Sequence, residues 1–180
     1  MEQGKIVQFV YFETLLDSNQ FMPKWENYLR SANSDVHVTM QESKKNNLFT
    51  YIAEHRCNED EFQFIFTKGA RLTRLKEVEI KTRQLGGYSI VQEQKTGEAN
   101  ASESKVFVFL NYADTDLQSY KQIQPSGKLN IYKAYFENSA YAYILEYFIK
   151  DKYVSAFQHS LHQFNTGEFS IYKQCLLKMA

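Results

Sequence analysis

The chain has 180 residues, 43% of them hydrophobic and 16% aromatic, with two prolines and seven glycines. That is ample apolar area for a packed core and too little Pro and Gly for a disordered or loop-built protein. Lys+Arg and Asp+Glu balance at 21 each, and Glu77 and Glu79 interrupt the nearest basic run, Arg71 to Arg83, which excludes a general binder of phosphate backbones. Cys57 and Cys175 stand far apart with no zinc spacing, and no apolar run reaches the roughly 18 residues of a membrane helix. The expectation is a soluble cytoplasmic protein with reduced thiols, no metal, no membrane and no nucleic acid partner.

In chain order, Ile6–Glu13 is predicted as a strand rich in Val, Phe and Tyr. A helix follows in "SNQFMPKWENYLRSA", where Phe21, Trp25, Tyr28 and Leu29 recur at helical spacing. Val36–Glu42 alternates apolar with polar residues, and Leu48–Arg56 is the next strand after the turn "SKKNN". "NEDE" forms a capping box with Asn58 at the N-cap and Glu61 three residues on. The helix it opens is expected to run to Leu85, supported by the Glu77–Lys81 and Glu79–Arg83 pairs and stopped by Gly86, with a hairpin around Gly86-Gly87 as the alternative. Tyr88–Gln94 is the last strand before the polar stretch "KTGEANASES". Strands then follow at Lys105–Tyr112, Lys128–Glu137, Ala140–Ile149 and Glu168–Lys178, and helices at Asp116–Gln122 and Lys152–Gln163.

The second series repeats the first. "TYIAEHRC" (Thr50–Cys57) aligns with "AYILEYFI" (Ala142–Ile149), Lys5–Phe12 with Lys105–Tyr112, and "GGYSIV" with "GEFSIY", all in the same order. The expected fold is therefore α+β: two tandem ferredoxin-like βαββαβ units at 1–95 and 105–180, joined by a linker at 96–104. Each unit leaves one sheet face bare, and packing bare face on bare face makes a pseudo-dimeric α/β barrel.

By element order and repeat, the chain resembles the dimeric α/β-barrel superfamily in its fused form, nearest to the antibiotic-biosynthesis-monooxygenase group. The resemblance covers nearly the whole chain and implies a cofactor-independent monooxygenase acting on a small hydrophobic or aromatic molecule, with a homo-oligomer as a further partner state. Haem-degrading members of that group carry an Asn on the first strand and a Trp and His at the second helix. Here Asn111 and His159 match, whereas Phe157 stands in the region of the Trp, and the only Trp, Trp25, is elsewhere. No cofactor is expected.

The residues themselves add an aromatic hairpin and a few titratable groups. "YKAYFENSAYAYILEYFI" (Tyr132–Ile149) allows a tight turn at Asn138-Ser139, which would put Tyr132 on one face with Tyr143 and Tyr147 and leave Glu146 on the other. Inward tyrosines imply either a polar network or a lined cavity. Glu54 and Glu146 hold equivalent places in the repeat, and a carboxylate buried among apolar strand residues becomes a candidate base. His37 and His55 sit on adjacent strands, on one face if the register sum is even, without a third ligand, and His159 and His162 share a helix face. The candidate catalytic set is Asn111 as polar anchor, His159 as acid/base, Tyr143 as hydroxyl donor and Glu146 as base. The competing reading is a non-catalytic ligand-binding or protein-association module, favoured if the chain's own Tyr and Phe fill the barrel.

Overall fold

A computed structural model of the chain describes residues 6–14, 16, 19–21, 23–24, 38–43, 51–60, 80–95, 99–112, 116–123, 127–163 and 169–174. Its strands are β1 (Ile6–Thr14), β2 (Val38–Ser43), β3 (Tyr51–Cys57), β4 (Ile80–Gln92), β5 (Glu103–Leu110), β6 (Lys128–Ala134), β7 (Tyr143–Lys150) and β8 (Phe169–Gln174). Two helices are complete within the described residues, α1 (Leu117–Gln122) and α2 (Val154–Gln163), the latter preceded by a 3-10 turn at Asp151–Tyr153. Asp116 caps α1 as an acidic N-cap should, accepting from the Gln118 amide at 3.0 Å.

The strands close into a barrel in the order β1-β3-β2-β8-β5-β7-β6-β4, every pairing antiparallel. Read from β4, the order is β4-β1-β3-β2 followed by β8-β5-β7-β6. Each set of four flanks its first strand with its third and its last, as in a ferredoxin-like unit. The fold is α+β, and closure removes all free sheet edges.

Strand alternation divides the second set of strands into two layers. Val106, Val108, Leu110, Leu129, Ile131, Tyr143, Leu145, Tyr147 and Ile149 pack outward against Tyr120 of α1 and Val154, Phe157 and Leu161 of α2. Val7, Phe9, Ile52, Tyr88, Phe107, Phe109, Tyr132 and Ile144 point inward and form the barrel core. Phe9 makes edge-to-face contacts with Tyr88, Phe107 and Tyr132 at ring separations of 5.6, 6.0 and 5.1 Å, geometry that adds about 0.5–1.5 kcal/mol per pair beyond burial. This accounts for the aromatic run at Tyr132–Ile149, since both faces of β6 and β7 are covered.

Three sequence expectations are corrected. Residues 80–85 are strand, not helix, and Gly86 and Gly87 lie inside β4 opposite Phe9 and Gln8 rather than in a hairpin turn. Pairing along the whole of β1 overrides the local helical charge pairs. Gly86 is needed there because a Cβ would come within 2.7 Å of the Tyr88 ring, which folds back over it. Third, β6 and β7 are joined by residues 135–142, with the Ala134 amide donating to the Ala142 carbonyl at 2.8 Å. Their register sets Tyr132 opposite Ile144 and Asn130 opposite Glu146. This is one residue away from the tight-turn pairing, and a one-residue slip swaps faces. Tyr132 thus shares the inner face with Glu146, and Tyr143 takes the outer one.

The ladders also refine the internal alignment. Phe9 pairs with Glu54 and Phe107 with Glu146. Phe9 and Phe107 therefore occupy like positions in the two sets of strands, whereas sequence matching sets Phe9 against Phe109.

Replacing Gly86 by Ala is expected to destabilise the chain by about 1–3 kcal/mol in urea melts, because the buried Tyr88 ring must move. The same change in a Tyr88→Ala background should cost clearly less, and equal costs in both backgrounds would refute the steric explanation.

Candidate functional site

Among inward positions otherwise filled by Val, Ile, Phe and Tyr, β5 carries Lys105, β3 carries Glu54 and β7 carries Glu146. Their side chains are 1%, 3% and 0% exposed. The Lys105 ammonium lies 2.7 Å from Glu54 Oε2 and 2.6 Å from Glu146 Oε1. β3 and β5 are not neighbours in the barrel, so this pair crosses the interior. The Phe148 ring stands 5.0 Å from Lys105 Nζ and 4.8 Å from Lys95 Nζ, between two cations.

Strand β6 completes the cluster. The Tyr132 hydroxyl donates to Glu146 Oε2 at 2.6 Å, and Asn130 Nδ2 donates to the same oxygen at 2.9 Å. Asn130 is itself clamped by the chain following β4. Its Oδ1 accepts from the Gln94 and Lys95 amides at 2.8 and 3.1 Å, and its Nδ2 donates to the Lys95 carbonyl at 2.7 Å. Arg56, two residues beyond Glu54, donates to the Tyr132 hydroxyl at 3.2 Å and forms an ion pair with Glu93. Arg56 and Glu93, 22% and 19% exposed, bring this side of the network to solvent.

The two carboxyls sit in different environments and are driven apart. Burial pushes Glu54 up to about 7, with the charge of Glu146 adding to the rise and Lys105 opposing it. Glu146 is equally buried, but the Lys105 charge and hydrogen bonds from Lys105, Tyr132 and Asn130 hold it below the ordinary carboxylate value. Burial opposes the charge on Lys105, yet its two carboxylates raise it above the usual lysine value, so it stays protonated. Burial, reinforced by Glu146 and Glu54, puts the Tyr132 phenol well above its usual range. One carboxyl poised near neutrality beside one held ionised is an acid–base arrangement.

Of the four residues singled out from sequence, Glu146 lies in this cluster. Tyr143 is buried on the outer, helix-facing layer. Asn111 is exposed after β5, and His159 is exposed on α2 with Gln163 3.4 Å from its Nε2. Glu54, read as the counterpart of Glu146, is in the cluster. Lys105, Arg56, Tyr132 and Asn130 were not anticipated as partners. Lys105 shares its inward parity with Phe107 and Phe109, the one signal that marked it. His37 and Trp25 lie outside the described residues; backbone pairing sets His55 opposite Val38.

Among the described residues no three His, Cys, Asp or Glu side chains gather as metal ligands. The described inner side chains include no His, Cys or Met. Phe157, in the region where the haem degraders have their Trp, is buried under α2 rather than facing the interior.

No protein-family model matches the chain, and no curated protein matches its sequence. Solved structures do share its fold. A variant of chlorite dismutase from Candidatus Nitrospira defluvii aligns over 98% of this chain and 93% of its own, with a TM-score of 0.63 at 12% identity. A second chlorite dismutase-like protein aligns over 97% and 96% with a TM-score of 0.60 at 10% identity. An anthrone oxidase-like protein aligns over 97% and 92% with a TM-score of 0.61, also at 10% identity. These neighbours are dimeric α/β-barrel, ferredoxin-like proteins related to the antibiotic-biosynthesis-monooxygenase group. No helix among the described residues is long and apolar enough to cross a membrane.

Lys105→Met should cost about 3–5 kcal/mol in denaturant unfolding, because it strands two buried carboxyls. Combining it with Glu54→Gln and Glu146→Gln should restore at least half of that loss. A single-variant cost below about 1 kcal/mol would contradict the ion cluster described here.

Proposed function

We propose that this chain is a cofactor-independent monooxygenase-like enzyme acting on a small aromatic or hydrophobic molecule with a C–H bond acidified by a carbonyl group. The observation that carries this reading is the split pair: Glu54 is lifted to about 7 while Glu146 stays ionised beside it, both on Lys105. A base is most effective when it titrates near the working pH. Ionised Glu54 takes the C–H proton, and the ammonium of Lys105 offsets the negative charge that moves onto the substrate. The resulting carbanion reduces dioxygen, and reprotonation gives a hydroperoxide on the same carbon. A CH2 group treated in this way loses water to become a ketone, so one O2 is consumed and one H2O released without metal or flavin.

The anthrone oxidase-like neighbour suggests the first substrate to try, because anthrone has such a CH2 group. On this reading the chain is a tandem duplication of 1–95 and 105–180, nearest to the antibiotic-biosynthesis-monooxygenase group. The strand orders of the two sets and the matched pairs Phe9/Glu54 and Phe107/Glu146 support that origin. It works in the cytoplasm, where distant thiols such as Cys57 and Cys175 stay reduced.

One observation favours the non-catalytic reading. The rings of Phe9, Tyr88, Phe107 and Tyr132 are at most 1% exposed, so the described interior is filled by the chain's own side chains. In that case the ion cluster specifies the barrel instead of reacting.

Oxygen uptake with anthrone, alongside anthraquinone absorbance, separates the two. The enzyme reading expects turnover above the uncatalysed rate and a fall in kcat of about 100-fold or more in Glu54→Gln. Background rates from a folded wild-type chain across a panel of such C–H acids would leave the association module standing.

A further inference from the structure

The cluster holds two cations, and they are committed differently. Lys105 is fully buried between two buried carboxylates. Arg56 is partly exposed, and only one of its guanidinium contacts, the Tyr132 hydroxyl at 3.2 Å, lies in the interior. The other is Glu93, which follows β4 immediately after an irregularity in its pairing with β6 between Ile90 and Gln92. That irregularity leaves Val91 54% exposed. The Arg56–Glu93 pair is where the network comes nearest to solvent, and the Glu93 carboxylate can leave it by side-chain rotation alone, with the backbone on either side held by the Gln92–Ile131 pairing and the Asn130 clamp.

Once Glu93 swings out, the guanidinium nitrogen it occupied is open while the other stays on the Tyr132 hydroxyl, and a planar cation of this kind suits a carboxylate or enolate oxygen. Charge favours the same exchange, since an incoming anion restores the balance that Glu93 provided. The residues paired in line with Arg56 across β1 and β4 are Val7 and Tyr88, both buried in the inner core. The neighbours of Arg56 on the inner face are therefore apolar.

We infer that the Arg56–Glu93 ion pair is the closed form of a binding site for a small aromatic carboxylate or enolate, whose oxygens take the place of the Glu93 carboxylate on the guanidinium. Tyr132, fixed by its bond to Glu146, stands beside the bound oxygen and ties the site to the acid–base pair. The inference deepens the proposed function and rests on it: it makes the substrate an oxyanion, or a molecule that becomes one when Glu54 removes its proton.

The test is calorimetric titration of the full chain with 1-naphthoate and its neutral counterpart 1-naphthamide. Wild type is expected to bind naphthoate saturably at one site. Glu93→Gln, which removes the internal competitor, should bind several-fold more tightly. Arg56→Gln should lose about tenfold or more, the effect of one charge-assisted hydrogen bond. Arg56→Lys keeps the charge without the fork and should fall between wild type and Arg56→Gln, which guards against loss of folding in the Gln variant. Naphthamide should not distinguish wild type from Arg56→Gln. Equal naphthoate binding by wild type and Arg56→Gln, weaker binding by Glu93→Gln, or no saturable binding by either wild type or Glu93→Gln would each overturn the site. Naphthoate has no acidified C–H, so its binding is read apart from turnover. Binding without oxygen uptake from anthrone would sink the enzyme and leave the site; oxygen uptake that survives in Arg56→Gln would do the reverse.

Discussion

Three charges are held out of water inside this barrel, and none of them is tolerable alone. Lys105 comes from the second set of strands, Glu54 from the first and Glu146 from the second. A buried ammonium or carboxylate without its partner costs several kcal/mol. The contact between Lys105 and Glu54 can therefore form only when the two sets of strands meet, and the closing of the barrel and the partnering of Glu54 are one event. The ion cluster makes the alignment of the two halves specific, because sliding one half past the other would separate the charges.

One lysine serves two glutamates, and that imbalance is the chemically useful feature. The position on β1 that corresponds to Lys105 is Val7, as the pairs Phe9/Glu54 and Phe107/Glu146 show. Two lysines would hold both carboxylates firmly ionised. With one, Tyr132 and Asn130 add their hydrogen bonds to Glu146 alone, and the burden of burial falls on Glu54. Asn130 also fastens the chain after β4 onto β6, so the segment between the two sets of strands is tied to the cluster.

Much of the frame was legible from residue pattern, because strand alternation survives in the side chains. Every described strand overlaps one expected from sequence, and the place of α2 is close to its predicted span. Glu54 and Glu146 stood out as polar residues among apolar ones at matched places. What failed depended on long-range pairing. Residues 80–85 carry helix-like charge spacing, yet β1 draws them into a strand. The β6–β7 register turned on a single residue, and that residue decided whether Tyr132 or Tyr143 joins Glu146. Lys105 looked like an ordinary strand-end lysine because one partner, Glu54, sits on a strand that only closure of the barrel brings within reach, and the other, Glu146, depends on the β5–β7 register.

The most direct measurement is a carbon-13 titration of the glutamate side-chain carboxyls, with Glu54 and Glu146 assigned from their Gln variants. The resonance absent from Glu54→Gln should move with a midpoint near 7, and the one absent from Glu146→Gln should remain ionised to below the usual 4.5. Two carboxyls titrating together at the ordinary value would contradict a buried, unevenly shared lysine, and with it the acid–base reading of this barrel.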